Sequence, residues 1–127
     1  MSEINNPLAW VEKAEEDFAL AQSALRRKMP LVTGVCFHSQ QCAEKYMKAL
    51  LVSKKASFPK THDLLMLSNL CSNAGILIEI DAKLLSILTD YAVRTRYPGE
   101  GPTLGDAKEA MKIAKLTRSI ARSFLGI

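Results

Sequence analysis

A chain of 127 residues, 48% hydrophobic and 24% charged, has room for one sizeable core and needs neither disulfides nor a metal to hold it, so a single domain spanning 1–127 is expected. No apolar run approaches the roughly 18–20 residues of a membrane span, and Met1 to Asn6 hold neither a basic nor an apolar leader segment; a cytoplasmic location away from membranes is expected. A net charge of +4 does not by itself predict nucleic-acid binding, so the arrangement of the charges matters more than their sum.

Helical periodicity begins at once. Val11, Ala14, Phe18, Ala21 and Leu25 step by three and four residues, one stripe of a helix from about Leu8 to Arg27, with Asn6 as N-cap and Pro7 in the first turn. A second helix is predicted from Leu31 or Val32 to Lys54. Val35, Ser39, Cys42, Tyr46 and Ala49 to Leu50 face inward, and Glu44 and Lys48 form an i, i+4 pair.

Ser57-Phe58-Pro59 breaks that helix, and Thr61 is the expected N-cap of a short third one ending near Ala74-Gly75, with Gly75 as its C-cap. Ile76 to Ile80 is β-branched, but an isolated strand has no partner here, so the segment reads as buried connector. Asp81 caps a fourth helix reaching Arg94 or Arg96, with Leu84, Leu85, Leu88, Tyr91 and Ala92 as its apolar face; Pro98 ends it. Thr103 with Asp106 resembles a capping box for a last helix, Leu104 to Ser123, lined by Met111, Ala114, Thr117, Ile120 or Ala121, and Phe124. The resulting fold class is all-α: an antiparallel up-and-down four-helix bundle with a short additional helix.

The chemistry-bearing residues are few. Cys36, Cys42 and Cys71 read as reduced thiols packed in the interior. His38 and Cys42 stand at i, i+4, but no second ligand pair accompanies them, so no metal site and no cofactor are expected. There is no Gly-rich phosphate loop, no Ser-His-Asp order and no His-Glu-x-x-His. His38 reads as a hydrogen-bonded core or interface histidine. His62, with Lys60 beside it, is placed in the first turn of the third helix, where amide N–H groups and the helix dipole favour an anion, although Asp63 or Thr61 also fits a purely capping role. Arg94 and Tyr97 at i, i+3 offer a guanidinium for phosphate and a ring for a base, while Asp90 and Arg94 equally suit an ion pair. Basic residues at segment ends (Arg26 to Lys28, Lys54-Lys55, Lys60, Arg94 and Arg96) read either as dipole-matched helix ends or as one basic end of the bundle.

Three blocks in this order, Gln40-Gln41-Cys42-Ala43-Glu44-Lys45-Tyr46-Met47-Lys48, Pro59-Lys60-Thr61-His62-Asp63-Leu64 and Arg94-Thr95-Arg96-Tyr97-Pro98, resemble the HEPN family over nearly the whole chain. The resemblance implies a helical bundle that pairs into homodimers and often works beside a minimal nucleotidyltransferase. Ribonuclease members of that family carry an Arg followed about four to six residues later by a His, a cation with a general base or acid. No histidine follows Arg94 or Arg96 here.

The expected function is therefore a non-catalytic module binding nucleotide or RNA through Lys45, Lys48, Lys60, His62, Arg94, Arg96 and Tyr97, with no catalytic residues, as one half of a toxin–antitoxin-like pair. The alternative is a ribonuclease toxin whose Arg and His meet through the fold. Five large side chains, Trp10, Phe37, Tyr46, Met47 and Phe58, are more than four helices of this size require, and favour a homodimer.

Overall fold

The structure, a computed structural model, describes residues 3–94, 98–99 and 101–127, and for Val93 and Arg94 the backbone alone. Five helices follow a short 3₁₀ turn, Glu3–Asn5: α1 (Pro7–Arg26), α2 (Val32–Ser53), α3 (Leu64–Asn73), α4 (Ala82–Arg94) and α5 (Leu104–Leu125). The described residues contain no strand. None of their helices is long and apolar enough to cross a membrane.

The local signals act where the sequence puts them. The Asn6 side chain accepts from Leu8 N with Pro7 at the first helical position, and both halves of the Thr103/Asp106 box are formed. Gly75, at φ +88°, takes the left-handed conformation just past α3. Ile76 and Ile78 are buried and Leu77 and Glu79 exposed, so the connector alternates, with no partner strand among the described residues.

The second helix departs from a one-sided stripe. Besides the expected inward residues, Cys36, Gln40, Ala43, Glu44, Met47, Lys48 and Leu51 are buried, so α2 is covered on nearly every side. It is the axis of the bundle. α1 runs antiparallel to it, Trp10 reaching Lys48 and Asp17 reaching His38. α5 runs parallel to it, Ser39 meeting Met111 and Lys54 lying over Phe124. Phe124, expected inside, is 47% exposed with Lys54 Nζ 5.0 Å from its ring centre. Tyr91, late in α4, lies near Asp106 and Cys36 at the starts of α5 and α2, so α4 runs antiparallel to both and the four longer helices alternate in direction, with α3 as the short extra one.

Candidate functional site

Between α2 and α3 the chain doubles back. α2 closes on Lys55, at φ 55° the only non-glycine residue of left-handed backbone among those described, and Ala56 N returns to Leu51 O at 2.9 Å. From there the connector climbs antiparallel to α2: Phe58 lies over Lys48, and four residues later His62 meets Glu44 and Gln40. A stretch that reads in sequence as a turn therefore lines one flank of the central helix.

The contact it makes joins an exposed group to a buried one. His62 Nδ1 is 2.7 Å from Glu44 Oε1, with the His62 side chain 65% and the Glu44 side chain 5% exposed. Glu44 Oε2 accepts from Lys48 Nζ at 2.9 Å, and Gln40 Nε2 donates to His62 O at 2.9 Å, pinning the backbone as well as the ring. A carboxylate held in this way fixes the imidazole's orientation and leaves Nε2 as the nitrogen available to another group. Lys48 is covered in turn by Trp10 and Phe58, whose ring centres lie 5.7 and 5.9 Å from its Nζ.

The start of α3 differs from expectation. Asp63, not Thr61, is the N-cap, its Oδ1 accepting from Leu65 N and Met66 N, while Thr61 Oγ1 takes Asp63 N. Thr89 Oγ1 takes Leu64 N, and Leu67 N already belongs to the helix through Asp63 O. All four leading amides are occupied, and His62 lies before the cap rather than in the first turn, so the helix N-terminus is no anion site.

Two further carboxylates organise the opposite flank of α2. Asp17 is bound by His38 Nδ1 at 2.8 Å and by Lys45 Nζ. Glu15 receives Arg118 through both oxygens at 2.7 and 2.8 Å, and the Tyr46 hydroxyl at 2.7 Å. The Arg118 hydrogen bonds hold the Glu15 carboxyl below its ordinary value of 4.5 against the opposing effect of burial, and Arg118 is raised in return. Burial pushes the Tyr46 hydroxyl up to about 12. It does the same to the Cys36 and Cys71 thiols, each to about 12, and raises Cys42 as well. All three are fully buried, which suits packing rather than nucleophilic attack.

Of the residues singled out from sequence, the fold gathers Lys48, Lys60 and His62 on the connector's flank, while Lys45 turns to Asp17 on the other. The basic clusters do not form one end: Arg26 to Lys28 follow α1 beside the start of α2, and Lys54-Lys55 follow α2 beside the start of α1. α4 ends at Arg94, five residues beyond Thr89, about 7.5 Å along the helix axis. The Arg94 side chain, its pairing with Asp90, and Arg96 and Tyr97 lie outside the described residues. Glu44 is paired with Lys48 as its position in sequence suggests, but its contact with His62, the Gln40 bond to the same connector and the clasp of Asp17 by His38 and Lys45 join residues distant in sequence and carry no periodic signature.

Among the described residues, five helices packed about a central one that carries buried charged groups, with a basic connector folded back along it, define a helical-bundle domain with a polar spine. The HEPN domain family model matches residues 8–123, and the chain belongs to that family. Membership points to nucleotide- or RNA-related function. No curated protein and no solved structure matches the chain.

Proposed function

We propose that this HEPN domain is a non-catalytic module that binds the phosphates of nucleotide or RNA, forms a homodimer, and acts in the cytoplasm beside a minimal nucleotidyltransferase in a toxin–antitoxin-like pair. The observation that carries the binding is His62, presented outward by buried Glu44 on a connector that also bears Lys60. Neither Lys55 nor Lys60 has an ion-pair partner among the described residues. Lys48, paired with Glu44 on this flank, and Lys45, paired with Asp17 on the other, contribute through their field, and Arg94, Arg96 and Tyr97 complete the proposed set of contacts.

A ribonuclease reading has one observation in its favour. A histidine whose Nδ1 rests on a buried carboxylate is oriented as general bases are, and His62 has that geometry without an Arg at the spacing of ribonuclease members.

The test titrates the wild type and Arg96→Ala with ATP and short single-stranded RNA at two salt concentrations, then incubates the RNA for hours. Binding that weakens with salt and with loss of Arg96, without cleavage, is the expected result. Equal binding by both proteins removes Arg96 from the site. Cleavage that vanishes in His62→Ala establishes the ribonuclease instead.

A further inference from the structure

The chain has two histidines, and each meets a buried carboxylate through Nδ1: His62 meets Glu44 at 2.7 Å and His38 meets Asp17 at 2.8 Å. They differ in access. The His38 side chain is 28% exposed, with the Phe37 ring set edge to face against it at 5.2 Å. The His62 side chain is 65% exposed, and its Nε2 has no partner among the described residues.

Glu44 decides which nitrogen of His62 can react. Its Oε2 accepts from Lys48 Nζ at 2.9 Å, and Gln40 Nε2 stands 3.3 Å from Oε1 as a further donor, so the carboxylate is an acceptor to all these neighbours and Nδ1 carries the ring proton. The neutral imidazole then holds its lone pair at Nε2, facing solvent, on a ring fixed by Glu44 and a backbone fixed by the Gln40 bond to His62 O. An imidazole so arranged is a nucleophile as well as a base, because the cation formed when Nε2 makes a bond is balanced by the carboxylate at Nδ1. Lys60, exposed and two residues away on the same connector, supplies a cation for an incoming anionic group. Asp63, on the other side of His62, has its carboxylate turned to the amides of Leu65 and Met66.

We propose that His62 is a phosphoryl acceptor, modified at Nε2 by a donor of high transfer potential, an acyl phosphate or a phosphoramidate. The Nε2 lone pair attacks phosphorus and the N–P bond forms. With an acyl phosphate the P–O bond breaks and its electron pair leaves on the carboxylate; with a phosphoramidate the P–N bond breaks and the pair leaves on an amine that takes a proton from solvent. The Nδ1 proton stays in its bond to Glu44. The product puts about two negative charges on a formerly neutral ring beside Lys60, and transfer to water or to a second acceptor removes them. No nucleotide or RNA takes part, so the inference is tested apart from the binding reading above.

Phosphoramidate and acetyl phosphate are each incubated with the full chain, folded and in urea. The label is located by peptide mass mapping and by its phosphorus resonance, which separates Nδ1 from Nε2 adducts. The folded chain should take up one acid-labile phosphoryl group at His62 Nε2, about ten-fold faster than His38 is labelled and about ten-fold faster than His62 reacts in the unfolded chain. Glu44→Leu with Lys48→Met, its fold checked by melting, should lower the rate to that of the unfolded chain and place label on both nitrogens of His62. Loss of stability alone does not change the nitrogen that reacts. Label from one donor only fixes the donor class. The inference is overturned if neither donor labels His62, if His38 is labelled as fast, or if His62 reacts no faster folded than unfolded, which is the behaviour of a merely exposed ring. It is overturned equally if the folded double variant reacts at the same rate and the same nitrogen as the wild type.

Discussion

Glu44 and His62 are separated by 18 residues and by opposite environments, yet share a hydrogen bond of 2.7 Å. The carboxylate is buried where an isolated charge is untenable, and its neighbours make it tenable: Lys48, Gln40 and the His62 ring all converge on it. The position of the exposed imidazole is thus set by a charge in the interior.

Removing one member of the buried pair should cost far more than removing both. Glu44→Ala leaves Lys48, 9% exposed in its side chain, without a counter-charge, and should destabilise the domain by about 3–5 kcal/mol. Glu44→Leu with Lys48→Met fills the same space without charge and should recover most of that loss, while releasing His62. Urea denaturation of the three variants checks the ordering. A double variant as unstable as Glu44→Ala would mean that the pair itself, not the orphaned lysine, carries the stability.

What the sequence made legible follows periodicity and caps. Asn6, Asp81, Thr103 and Asp106 act locally, so their roles are written in their neighbours. Thr61 and Asp63 are both good caps two residues apart, and Asp63 prevails because its carboxylate reaches two amides at once. The return of the connector along α2 had no local signature: Phe58 and His62 find Lys48 and Glu44 only after the helices pack. Tyr46 and Met47, read as surplus apolar surface for a dimer, are fully buried in the chain's own core, and Trp10 and Phe58 pack against each other. Among those five residues only Phe37 is exposed, at 39%, so most of the apolar supply read as surplus belongs to the chain's own packing.

The thiols give a test of packing that needs no ligand. Cys36, Cys42 and Cys71 are each fully buried and shifted away from thiolate. At pH 8 an aromatic disulfide reagent should label them only as the domain opens, at a rate set by local or global unfolding, and quickly in denaturant. Fast labelling of any one in the native state would show that the helix covering it is loose.

Acid should weaken this domain partly through Glu15. Its folded pKa lies below 4.5, held down first by the Arg118 hydrogen bonds and then by that from Tyr46. A depressed carboxylate contributes stability that is fully present above its unfolded pKa and is lost as pH falls through the folded one, so the contribution stands at pH 7 and fades below about 4.5. Glu15→Gln keeps the shape but not the charge, and leaves Arg118 and Tyr46 without their ionic acceptor. With both ionic side chains about one-third exposed, solvent screening limits the loss at pH 7 to about 1–2 kcal/mol. The gap between wild type and Glu15→Gln should then narrow steadily as pH is lowered from 5 toward 3 in parallel denaturation curves. A gap that stays constant over that range would mean that Glu15 acts through packing alone and that its charge contributes nothing to the fold.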